Sequence, residues 1–127
     1  MIKNFLIINC IGKDDKLGLR INKDFFVRIL KKENKMNDSL VPEILEFLQK
    51  YKVKLDQNFS VIVNQGPGSF SAIRIALATV KGLEIANKVK VFGFRNADLK
   101  HFDQENIELL FYEKLIEKKL IKPIYLS

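Results

Sequence analysis

The chain has 127 residues, 47% hydrophobic and 29% charged, with a formal net charge of +7. That describes one domain, large enough for a real core and charged enough to be soluble; no apolar run approaches the roughly 20 residues that a membrane-spanning helix needs. Cys10 is the only cysteine, which excludes an internal disulfide and fits a reducing cytoplasm, and the N-terminus leads straight into a strand pattern without signal-peptide character.

The positive charge invites a nucleic-acid reading, but only Arg20, Arg28, Arg74 and Arg95 are arginine. The lysines that make up the rest are spread along the whole chain, with no aromatic-interleaved basic block. Charge of that kind signals non-specific affinity alone.

In chain order, Phe5-Leu6-Ile7-Ile8 is a continuous apolar run, as expected of a central strand covered on both faces. Gly12 to Asp15 reads as a turn, Leu17–Ile21 as a second strand, Asn22 to Asp24 as another turn and Phe25–Leu30 as a third strand. Three strands joined by short polar turns predict an antiparallel meander. After a polar stretch from Lys31 to Asn37, a helix begins near Asp38 or Ser39, with Pro42 tolerable in its first turn. Leu40, Ile44, Phe47, Leu48 and Tyr51 share one face, which Val41 and Leu45 widen.

Phe59–Val63 is a β-branched strand running into Gly66-Pro67-Gly68-Ser69-Phe70. Two glycines bracketing a proline make a sharp turn, and Ser69 or Ser71 is placed to cap the helix that follows, Ser71 to Lys88. That helix carries one apolar stripe, Ile73, Ala76, Leu77 and Val80, and a second of mostly small residues, Ala72, Ile75, Thr79, Gly82 and Ala86. Only Arg74, Lys81 and Glu84 form a clear polar sector. A helix apolar round most of its circumference is buried on two sides, so one side packs on the sheet and the other needs a second helix or another chain. Val89–Phe94 is a further strand. Asp103 starts a last helix with Ile107, Leu110, Phe111 and Leu115 inward, acids in its first turn and lysines in its last. Residues 123–126 form a short extended tail. The order β-β-β-α-β-α-β-α predicts an α/β domain with a mixed sheet.

The residues that carry chemistry are few. Gly66–Ser69 stands where a helix N-terminus could cradle a phosphate, but a Walker-type loop needs a Lys-Ser/Thr ending that is absent, so a structural turn is the reading. Arg74, early in an apolar helix where the dipole disfavours a cation, calls for a carbonyl or carboxylate partner within the fold or across an interface. Cys10 has no base nearby in sequence and reads as a buried inert thiol. His101, the only histidine, rules out a two-histidine metal site. No metal and no cofactor is expected.

The order of elements resembles one lobe of the actin/sugar-kinase/Hsp70 ATPase fold. Within it, Gly66-Pro67-Gly68-Ser69-Phe70-Ser71-Ala72-Ile73-Arg74-Ile75-Ala76 with Lys81-Gly82-Leu83 is similar to the TsaB (YeaZ) pattern GPGSFTGLRIG followed by KGL or QGL. The similarity covers Asp56 to Leu99 and touches Pro123-Ile124-Tyr125-Leu126. Departures are clear: Asn9 stands where the first strand usually carries an acid, Gln65 where an arginine commonly precedes the motif, Met36 or Asn37 where a histidine is often seen, and Ser71-Ala72 for a Thr-Gly pair. The neutral amide of Asn9 cannot supply the metal- or phosphate-directing charge of the ATPase relatives.

The resemblance implies a single TsaB-like lobe over residues 1–127, with 104–127 a remnant in place of the usual second lobe. It implies a non-catalytic scaffold or activating subunit for threonylcarbamoyladenosine modification of tRNA, cytoplasmic and without membrane contact. The partners implied are a TsaD-like catalytic subunit and a TsaE-like ATPase, with a homodimer when alone and tRNA met only through the complex. The interface expected is Leu40, Ile44, Phe47, Ser69, Phe70, Ala72, Ile73, Arg74, Ala76 and Leu77, with Gly66, Pro67 and Gly68 as structural turn. The alternatives are a small basic RNA-binding module and a degenerate nucleotide-binding lobe without activity.

Overall fold

The computed structural model describes residues 4–31, 40–113 and 115–116. Strands β1 (Phe5–Asn9), β2 (Asp14–Ile21) and β3 (Asp24–Lys31) come first, then helix α1 (Leu40–Lys50), β4 (Ser60–Asn64), α2 (Phe70–Asn87), β5 (Lys90–Phe94), a 3₁₀ turn at Asn96–Asp98 and α3 (Gln104–Tyr112). The expected start of α1 at Asp38 or Ser39, the histidine-equivalent Met36 and Asn37, and the 123–126 tail lie outside the described residues. The five strands form one mixed sheet in the order β3-β2-β1-β4-β5. β1 pairs antiparallel with β2 and parallel with β4, and β5 continues the parallel half. The α/β fold expected from the sequence is the one observed.

The meander closes tightly because Asn22 and Lys23 both take positive φ, 50° and 76°, the two-residue geometry whose twist matches the flanking strands. Asp24 is therefore the first residue of β3, not the end of the turn, and pairs with Ile21. β2 also starts earlier than its apolar pattern, at Asp14, since Lys16 pairs with Asn9 and Asp14 with Lys31.

Both faces of the sheet are covered. On one, Leu6, Ile8, Leu17, Leu19, Val61, Val63 and Val91 pack under α1 and α2. On the other, Phe5, Ile7, Ile62 and Phe94 pack under Ile107 and Leu110 of α3, with Phe111 tilted against Phe5 at 5.0 Å between ring centroids. Each large apolar side chain so buried contributes about 1.5–3 kcal/mol, so neither layer of helices is dispensable. The edge strand β3 is tied to α1 by stacking of Phe26 on Tyr51 at 4.0 Å. It is also tied by Arg28, which lies over the Phe47 ring and 3.4 Å from Glu46. An ion pair between Arg20 and Glu108 joins β2 to α3.

Three expectations need correction. Val41 and Leu45 do not widen the inward face of α1 but stand 44% and 49% exposed, because Leu40, Ile44, Phe47 and Leu48 already fill the contact with the sheet. Ser69 occupies the N-cap of α2 through its extended backbone, yet its side chain makes no capping hydrogen bond, and Ser71 lies inside the helix. Among the described residues α2 is only partly buried on its second side: Ala72, Ile75 and Thr79 are half-buried while Gly82 and Ala86 are exposed. At α3 Asp103 stands at the N-cap and accepts from the Asn106 amide at 2.8 Å, but the lysines expected in the last turn are not there, because the helix ends at Tyr112.

Two outcomes follow from this packing. Gly18 sits where a Cβ would come within 2.8 Å of both Ile7 and Phe25, so Gly18→Ala is expected to destabilise the fold by about 1–3 kcal/mol in denaturant unfolding. Hydrogen bonds from the Asn106 backbone and then its side chain hold the Asp103 carboxyl below its ordinary range. A lowered folded-state pKa gives stability that is present above the unfolded value and lost as pH falls through the folded one. Asp103→Ala should therefore lower Tm at neutral pH, and the gap to the parent should close on acidification below the carboxylate range.

Candidate functional site

β1, β4 and β5 run parallel, so their carboxyl ends lie along one edge of the sheet, the place where open α/β sheets form ligand crevices. Three asparagines meet there: Asn9 ends β1, Asn64 ends β4 and Asn96 follows β5. The Asn64 amide nitrogen donates to Asn9 Oδ1 and to Asn96 Oδ1, each at 3.0 Å. Its own oxygen accepts from the Gly66 amide at 3.0 Å, and Asn9 Oδ1 also accepts from the Ile11 amide at 3.1 Å. The loop is clamped from the other side, with the Asn96 amide donating to the Gly66 carbonyl at 2.8 Å and Gln65 N–H to Phe94 at 2.9 Å. Asn64 and Gln65 are both buried.

The glycine turn is set into this cluster. Gly66 has φ 107° and precedes a cis peptide to Pro67, a conformation glycine accepts without steric cost. A Cβ on Gly68 would lie 2.8 Å from the Ile11 side chain, so the loop folds close against the residues after β1 and aims the chain into α2. Pro67 lies on a bend and Gly68 on an isolated bridge between β4 and α2.

Chemically the strand ends are neutral. Asn64 spends both donors and its acceptor inside the cluster, and Asn9 brings an amide, not a carboxylate. Among the described residues no three His, Cys, Asp or Glu side chains converge to hold a metal ion. Cys10 is buried beside the cluster and His101 is exposed on the bend before α3. Of this network, the sequence pointed to Asn9 alone. The signal for Asn64 was an asparagine at a strand end before a glycine, a residue type that hydrogen-bonds backbone two residues on.

The second candidate region is the outer side of the α1–α2 layer. Of the residues expected to form an interface, Leu40, Ile44, Phe47, Ile73, Ala76 and Leu77 are buried in the chain's own core, so they shape the layer from beneath. Ser69 and Arg74 are exposed and Ala72 half-buried; the side chain of Phe70 lies outside those described. A strip of α2 made of Ser71, Ile75, Ala78, Thr79, Gly82 and Ala86 carries no charge, with Arg74 and Ile85 also exposed on this helix. At Gly82 a Cβ would meet nothing within 4 Å among the described residues.

Comparison with known proteins bears on both regions. The family model for TsaD, tRNA N6-adenosine threonylcarbamoyltransferase, matches residues 32–99. The tRNA threonylcarbamoyladenosine biosynthesis protein TsaB of Buchnera aphidicola subsp. Baizongia pistaciae is 40% identical over 58 residues, which is 44% of this chain and 26% of that protein. In three dimensions YeaZ from Pseudomonas aeruginosa superposes with a TM-score of 0.69 at 18% identity, over 88% of this chain and 50% of its own. T. thermophilus RuvC, solved with a Holliday junction substrate, superposes with a TM-score of 0.53 at 14% identity over 76% of this chain and 67% of its own. Those two likenesses are of fold. The chain thus spans about half the length of the YeaZ chain it matches.

The amide cluster makes a prediction by polarity. Both recorded bonds of Asn9 are accepted ones, which a carboxylate keeps, whereas Asn64 must donate to two oxygens. Asn64→Asp is expected to cost about 1–3 kcal/mol through unmet buried acceptors, and Asn9→Asp clearly less, in parallel urea titrations.

Proposed function

We infer the function from one fact: the chain belongs to the tRNA N6-adenosine threonylcarbamoyltransferase family, on its TsaB (YeaZ) side. It is a non-catalytic subunit of threonylcarbamoyladenosine biosynthesis that pairs with a TsaD-type catalytic subunit and meets tRNA only through that complex, in the cytoplasm. A TsaE-type ATPase joins the pair, and without its partner the chain forms a homodimer. The neutral strand ends support a supporting rather than a chemical role. Where a nucleotide-handling lobe needs a carboxylate to direct a metal ion, this chain has asparagines that satisfy one another.

The observation that carries the pairing surface is Gly82. A glycine in an exposed helix interior is less stable than alanine by about 0.8–1 kcal/mol, and among the described residues nothing fills the space above it. A closely approaching helix would use that space. Ala72, Ile75, Ala78 and Thr79 line the same side, and Ser69 and Arg74 sit at its N-terminal end, so the expected interface narrows to the surface members of the set. Pairing through one self-complementary face closes as a two-fold dimer.

Gly82→Ala separates the free chain from the complex. It is expected to raise the free chain's stability by up to about 1 kcal/mol while weakening association in sedimentation. Ala78→Arg should abolish association with the fold intact, whereas Ala76→Arg would place a charge in the core and unfold the chain. Depletion in cells should remove threonylcarbamoyladenosine from tRNA, and Ala78→Arg should fail to restore it. Unchanged modification on depletion would refute the role, and a parent chain that stays monomeric with TsaD present would refute the surface.

A further inference from the structure

At the opposite end of the helical layer from the glycine turn, the C-terminal ends of α1 and α2 leave an open groove of about 490 Å³, within the range of small-ligand sites. Leu45, Leu48, Val53 and Leu55 make its floor and Lys52 and Lys54 its rim; the other lining residues are Gln49 and Asn87, so no carboxylate faces it. Leu45 is 49% exposed although it lies on a helix with a well-filled core face. Lys88 follows Asn87 at the end of α2 and is exposed. Among the described residues Lys52, Lys54 and Lys88 make no ion pair.

Lysines at helix C-termini have an ordinary role, compensating the helix dipole. Two helix ends carry about half a negative charge each, roughly one unit together. Lys52 and Lys54, the two lysines that line the groove, exceed that by about one positive charge, beside an apolar floor.

We propose that this groove docks an acidic segment of a partner protein, with an aliphatic side chain seated on Leu45 and Leu55 and flanking carboxylates on Lys52 and Lys54. The floor decides against nucleic acid. Single-stranded RNA gains its contact energy from bases stacked on aromatic side chains and from phosphates on cations. Here no aromatic lines the groove, and an aliphatic floor gives a phosphate backbone nothing. An aliphatic anchor with carboxylates on either side uses both parts. The surface is separate from the Ala78–Gly82 face and does not rest on pairing with a TsaD-type subunit.

The test is an array of short synthetic peptides, each with one Leu, Ile or Phe and several Asp or Glu at varied spacing, beside versions with serine in place of the anchor. The full chain is applied as parent, Lys52→Glu/Lys54→Glu, Leu45→Glu and Ala78→Arg, each checked by circular dichroism. Bound peptides are expected to need both anchor and carboxylates. Their affinity should fall by at least about tenfold in the double charge reversal and in Leu45→Glu, and stay unchanged in Ala78→Arg. Serine versions binding equally well, no binding above scrambled peptides, or displacement of the peptides by a single-stranded RNA oligonucleotide would each overturn the proposal.

Discussion

Strands β1 and β4 present apolar side chains to both faces of the sheet, and the rest of the molecule is arranged so that neither face is wet. Ile8 and Val63 look toward α1 and α2 while Ile7 and Ile62 look toward α3. A strand of this kind cannot stand at an edge or on an open face, which forces helices onto both sides and pushes the polar-flanked β2 and β3 outward as a hairpin. The two halves of the core lie on opposite faces of the sheet, and Ile107 and Leu110 of α3 cover the smaller of the two. The Arg20–Glu108 pair and the Asp103 cap hold α3 in place.

The same arrangement brings the parallel strand ends together, and there the polarity is inverted relative to the core. Asn64 is buried at 1% exposure, yet its three recorded bonds reach β1, the residue after β5 and the glycine turn. An unmet polar group at that depth would cost about 1–3 kcal/mol, so the cluster is complete or it is a liability. Asn64 spends both donors and its acceptor in this way, whereas Asn9 and Asn96 enter these bonds through their Oδ1 atoms alone. The side-chain amides at the strand ends hold the glycine turn against the sheet.

What was legible in the sequence follows that division. β1, β4 and the order of elements were readable because two-sided burial leaves continuous apolar runs. The early start of β2 was not, because Asp14, Asp15 and Lys16 become strand by pairing with neighbours, not by their own preference. The amide cluster was unreadable beyond Asn9, since its members stand 55 and 32 positions from Asn64 and meet only through the strand order. Leu40, Ile44 and Phe47 were read as interface when they are core. Apolar periodicity reports that a face is buried and says nothing about which chain buries it.

That last point explains why α2 is the informative helix. Its inward stripe is accounted for within the chain, and its outward stripe is not. A helix whose outer side met only water would gain about 0.2–0.5 kcal/mol from each oppositely charged pair one turn apart, but Ser71, Ile75, Ala78 and Gly82 carry no charge at all. Gly82 adds a propensity penalty that no contact among the described residues offsets. Local preference and tertiary packing agree along the inward stripe of this helix and part company on its outward side, where Ile85 is also exposed. The strand ends carry asparagines that bond to one another, and the outward strip of α2 is small and uncharged beside an exposed Arg74.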